Sequence, residues 1–197
     1  VVVAIIGLLA ALAMGGLSNT VRSSKLTNTA QRVADQINVA RQVAAARNLP
    51  VEVRFYKLPW FDQTTGGAFV YRGMQTFVTD GITFTNPVSK PFLFPNRVAI
   101  RIDSPLRTQI LYVANNTPGL ADFGIYSKGT ICYNAFTIRP NGMLVSGTST
   151  NISATNNFMT LQNWEPDSTL DSSVPMPANY ALVRVDPITA KVTILRP

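Results

Sequence analysis

The chain has 197 residues, 46% apolar and 14% charged, with one cysteine, Cys132, and no histidine. That apolar fraction can bury a core, which excludes wholesale disorder and suits one head of ordinary size with an appendage. The lone cysteine and missing histidine exclude an internal disulfide, a Cys/His zinc site and every Ser-His or Cys-His nucleophile, and the net charge of +7 suits either attraction to nucleic acid or anionic lipid or the plain solubility of a surface.

The charge is uneven. Residues 1–48 carry Arg22, Lys25, Arg32, Arg41 and Arg47 against Asp35, whereas 49–197 carry twelve basic and nine acidic residues. No phosphate-binding glycine loop, dinucleotide glycine pattern or Gly-x-Ser-x-Gly elbow occurs, so no catalytic residue, metal ion or cofactor is expected.

The chain opens on Val1-Val-Val-Ala-Ile-Ile-Gly-Leu-Leu-Ala-Ala-Leu-Ala-Met14, followed by Gly15-Gly16-Leu17, with no charge before Arg22. As a helix, Val1 to Leu17 spans about 25 Å, the lower limit for crossing a hydrocarbon core. A secretory signal peptide ending near Ala11-Leu12-Ala13 is the competing assignment. It lacks a charged leader, and the helical pattern continues past the cut. A filament-core or membrane role is expected for Val1, Val2, Val3, Ile5, Ile6, Leu8, Leu9, Leu12, Met14 and Leu17. Gly15 and Gly16 each cost about 1 kcal/mol of helix stability relative to alanine and mark a hinge, or else a site of close helix approach.

Beyond the apolar run, Leu26, Ala30, Val33, Ile37, Ala40 and Ala44 recur at alternating steps of four and three, one stripe of an amphipathic helix destined to rest on the head. Arg47 in the last turn, Asn48 as C-terminal cap and Pro50 end the helix. A helix of about 47 residues is roughly 70 Å long, too long to bury in its own head, so its apolar half projects and requires lipid or identical neighbours.

From Pro50 the period changes to two. Strands are predicted over 51–56, 69–72, 97–102, 109–113, 135–139 and 158–162, then a hairpin from Tyr180–Val185 across Asp186-Pro-Ile-Thr189 to Lys191–Leu195. The polar run Ser146–Asn157 is predicted to be a surface loop. The expected fold class is therefore α+β. A long N-terminal helix (1–48; apolar 1–21, amphipathic 22–48) projects its first half and packs its second on a mainly antiparallel β-sheet head (49–197).

The run Val1-Val-Val-Ala-Ile-Ile-Gly-Leu-Leu-Ala-Ala-Leu-Ala resembles the helix start of the type IV pilin and type II secretion pseudopilin superfamily. Ala40-Arg-Gln-Val-Ala-Ala-Ala-Arg-Asn48 resembles the helix end of its minor H-type members. Phe136-Thr-Ile-Arg-Pro-Asn-Gly142 and Val183–Ile194 are similar more loosely, with Ala190 where the family often shows glycine. The resemblance implies a cleavage site, a methylated N-terminal residue and a buried glutamate upstream of Val1.

It further implies a non-enzymatic structural subunit, held in the bacterial inner membrane, then added to a homo-oligomeric helical filament by a pilus or secretion machinery. The polymer would be a cell-surface or extracellular fimbrium, or a periplasmic pseudopilus. The alternative is a minor pilin that binds DNA through Arg184, Lys191 and Arg196 on the terminal hairpin. A membrane-anchored enzyme would have only acids such as Asp122, Glu165, Asp167 and Asp171 to work with.

Overall fold

The computed structural model describes residues 2–59, 69–79, 83, 85–101, 110–111, 117–119, 131–146, 150–152, 157–163 and 179–197, with the side chains of 1–19, 69, 117–119, 146, 150 and 151 outside that description. Among the described residues one helix, α1, runs from Val2 to Arg47 and is followed by twelve strands. These are β1 (Val51–Pro59), β2 (Phe69–Val78), β3 (Asn86–Pro87), β4 (Phe92–Leu93), β5 (Val98–Arg101), β6 (Thr117–Gly119), β7 (Ile131–Ile138), β8 (Leu144–Ser146), β9 (Thr150–Asn151), β10 (Phe158–Asn163), β11 (Tyr180–Val185) and β12 (Val192–Leu195).

All pairings are antiparallel, and the strands form one sheet in the order β12-β11-β10-β5-β2-β1-β7-β8-β9, with β3 and β4 on β2 and β6 on β7. The sheet curls. Tyr56 pairs with Gly73 but Lys57 with Tyr71, so Arg72 is an extra residue in β2. Such a bulge bends its strand and sharpens the twist. The curl brings distant parts of the sheet together: the Leu144 amide of β8 donates to the Pro187 carbonyl in the β11–β12 turn at 2.8 Å. Gly142 makes that approach possible. Its φ is +86°, and a β-carbon there would lie 3.2 Å from the Ile188 carbonyl oxygen.

The expected α+β class is corrected by this architecture. The molecule is a β-rich fold, an N-terminal helix with a strongly curled, mostly antiparallel half-barrel, and not the pilin-like α+β arrangement. Alternation of apolar residues reports which residues form strands, but the bend of a sheet depends on bulges and long-range contacts that periodicity does not carry. α1 touches β1, β2, β5, β7, β10, β11 and β12, so the helix fills the hollow of the curl.

Other differences are local. In the expected loop Ser146–Asn157, Thr150–Asn151 pairs with β8, Ile152 is buried, and Asn157 is buried with its carbonyl accepting from the Val185 amide. Backbone pairing asks for no apolar alternation, so the polar composition hid it. Of the strand expected over 109–113, only Ile110 and Leu111 are described, and both lie in a turn. Ala190 adopts a φ of 52°, a left-handed conformation that suits glycine better than alanine. Its methyl is fully buried in the core.

Candidate functional site

The residues with the clearest functional bearing lie along α1. Leu26, Ala30, Val33, Ile37, Ala40 and Ala44 are each 0% exposed and belong to one core with Val51, Val53, Phe55, Met74, Phe136, Leu161 and Val183. Four of the helix's core positions, Ala30, Ala34, Ala40 and Ala44, carry only a methyl, which lets the helix backbone lie close to the sheet. Thr29 is buried on the same side and keeps its hydroxyl satisfied by donating to the Lys25 carbonyl at 2.7 Å.

The rim of this seat is polar. The Asn163 amide donates to the Arg22 carbonyl at 3.3 Å, Arg41 donates to the Thr189 carbonyl at 3.4 Å, and Arg196 bonds Thr27 and Asn179. The helix ends in a Schellman geometry, with Asn48 at φ 52° and the Leu49 amide bonded to the Ala44 carbonyl at 3.3 Å. Leu49 packs on the same core as Ala44.

The candidate filament-core residues Val1, Val2, Val3, Ile5, Ile6, Leu8, Leu9, Leu12, Met14 and Leu17, and the hinge residues Gly15 and Gly16, have side chains outside the described set. The helix is continuous through both glycines. Among the described residues no helix is long and apolar enough to cross a membrane.

The three candidate nucleic-acid contacts separate. Arg184 and Lys191 border one shallow depression of about 290 Å³ on the outer face of the hairpin, with Asp186, Thr193 and Leu195. Arg196 instead turns back to α1 and holds Thr27. The depression also contains a carboxylate. Asp186 accepts from the Thr189 amide at 2.8 Å and the Ile188 amide at 2.9 Å, and these bonds hold its carboxyl below the usual range. Its charge opposes the binding of an anion beside Arg184.

The sheet face turned away from α1 holds polar groups that periodicity did not single out. Arg72 and Arg101 are 1% and 2% exposed, and Arg101 donates to the Gln162 amide oxygen at 3.3 Å. Nearby on β1, Arg54 is ion-paired with Glu52 and lies between two rings, 4.1 Å from the Phe77 centroid and 4.5 Å from that of Tyr133. Burial works against its charge, but Glu52 outweighs this, and the guanidinium pKa is raised.

Tyr56 packs beside Tyr133 at 5.5 Å, and burial pushes its phenol up to about 12; burial also raises Tyr71 and Tyr133. A phenol that stays neutral in the folded state while the unfolded one ionises stabilises fully below pH ~10, and that contribution is lost as pH climbs towards ~12. Equilibrium unfolding across this window will show stability falling by about 1.4 kcal/mol per pH unit for Tyr56. Tyr56→Phe will flatten the slope.

Among the described residues no group of three or more Asp, Glu or Cys side chains could hold a metal ion. Asp122, Glu165, Asp167 and Asp171 lie outside the described residues. Comparison of the chain with protein-family models, curated proteins and solved structures finds no match.

Proposed function

We propose that this chain is the structural subunit of a filament of the type IV pilus or pseudopilus kind, held in a membrane by its N-terminal helix and polymerising through it. The observation that carries the proposal is the mismatch between helix and seat. α1 has 46 residues, about 69 Å, whereas among the described residues its core contacts run from Leu26 to Ala44, about 27 Å. Most of the remainder is the run before Arg22, which carries no charged residue and needs lipid or sister copies around it in water.

Repetition of one heterologous helix contact produces an open fibre, and extraction from lipid requires packing energy and an external motor because lipid already hides the apolar surface. The proposal rests on the helix; the half-barrel forms its C-terminal cargo. Electron microscopy of the purified chain after detergent removal tests it. Fibres are expected, and Leu8→Arg is expected to abolish them without changing the circular dichroism of the half-barrel. Dispersed monomers under every condition would overturn the proposal.

A further inference from the structure

One flank of α1 and the strands beside it form a basic seam. Arg32 stacks over the Phe92 ring of β4 at 5.2 Å, and Lys90 stands two residues before that ring. Farther along, Asn163 donates to the Arg22 carbonyl and pairs with Val98, so Arg97, the residue before Val98, lies at the end of β5 that faces the Arg22 turn of the helix. Lys25, Arg32, Lys90 and Arg97 are all exposed.

The three acids among the described residues do not neutralise this seam. Glu52 is paired with Arg54 on the opposite sheet face and Asp186 is bonded within the β11–β12 turn, while Asp35, one turn beyond Arg32 and accepting from Gln31 at 2.9 Å, keeps its charge and leaves the seam an excess of three cations over the described acids. Val21 and Val39, each 45% exposed, lie on the same side of the helix as Lys25 and Arg32, since eighteen residues make five full turns. Exposed aliphatic side chains interleaved with cations are the composition of a helix face that lies in a headgroup layer; a nucleic-acid backbone offers nothing to the valines.

We propose that this seam is a docking surface for anionic phospholipid headgroups, on which the half-barrel reclines while the subunit waits in the membrane. The inference rests on the filament-subunit reading, and it requires α1, continuous here through Gly15 and Gly16, to bend at that pair of weak helix formers when the subunit lies in the membrane. Each lysine or arginine near a negatively charged leaflet adds attraction that decays within a Debye length and weakens with salt.

The test uses the full chain reconstituted into vesicles of phosphatidylcholine alone or of equal parts phosphatidylcholine and phosphatidylglycerol. Amide hydrogen exchange is followed in residues 85–97, which anchoring by the apolar run leaves unprotected. Exchange is expected to slow by roughly fivefold or more in the anionic vesicles, to recover at high salt, and to show no lipid dependence in the variant Lys25→Gln, Arg32→Gln, Lys90→Gln, Arg97→Asn. Asparagine tolerates the positive φ of 71° at position 97.

Equal exchange in both vesicles, or protection that persists in the variant, would overturn the proposal. So would protection of 85–97 by duplex DNA and not by anionic lipid. Lipid-dependent protection in a chain that never forms fibres would keep the seam and reject the filament, so the two failures are distinguishable.

Discussion

Ile37→Asp will abolish the cooperative unfolding transition of the half-barrel, followed by circular dichroism in urea with the chain kept in mild detergent. Ile37 is 0% exposed at the middle of the seat, among residues contributed by both halves of the curled sheet. A carboxylate there has no partner among these apolar neighbours, and protonating it still leaves an unfilled hole. The loss will exceed about 4 kcal/mol, a large part of the whole stability of a domain of this size.

Two companions isolate the cause. Ile37→Ala, which only empties space, will cost about 2–5 kcal/mol. Val39→Asp, on the 45%-exposed face of the same turn, will stay within about 0.5 kcal/mol of the parent. Equal losses at positions 37 and 39 would mean that the helix is not seated in the hollow of the sheet.

Much of that seat is legible in the sequence because a helix exposes its packing face as a regular spacing. Leu26, Ala30, Val33, Ile37, Ala40 and Ala44 declare themselves by their steps, and Asn48 with Pro50 declares the end. Thr29 and Ala34 share the buried side without announcing it, because a hydroxyl that bonds its own helix can be buried and alanine is at home on either face. The hairpin of Tyr180–Val185 and Val192–Leu195 is equally plain, since both arms alternate and Asp-Pro opens the turn.

The curl is not legible. It depends on Arg72 being the extra residue of β2, and on Leu144 reaching Pro187, a contact between segments with nothing local in common. Nor did spacing separate Arg196 from Arg184 and Lys191. All three are basic residues of one hairpin, and only the helix beside it, by offering Thr27, decides which way Arg196 turns. Buried arginines defeat composition for a related reason: Arg72 and Arg101 look like strand-end charges until the fold covers them.

The face of the sheet away from α1 gives the second large effect. Arg54→Ala will destabilise the half-barrel by about 2–4 kcal/mol, because it removes one partner of an ion pair whose side chains are only 12% and 15% exposed and leaves the Glu52 carboxylate without it. The cation–π contacts with Phe77 and Tyr133 disappear at the same time.

Arg54→Lys will recover only part of the loss, since an ammonium cannot lie flat between two rings and present a nitrogen to Glu52 as a guanidinium does. The double replacement Glu52→Leu, Arg54→Met will be more stable than Arg54→Ala alone, because no charge remains to be desolvated and the volume is kept. A double-mutant cycle over the two positions will therefore be strongly non-additive. High salt will change the pair's contribution little, because charges shielded between Phe77 and Tyr133 are poorly reached by counterions. A single-mutant loss below about 0.5 kcal/mol with additive double-mutant energies would show the pair to be solvated and the outer face of the sheet to be open to water.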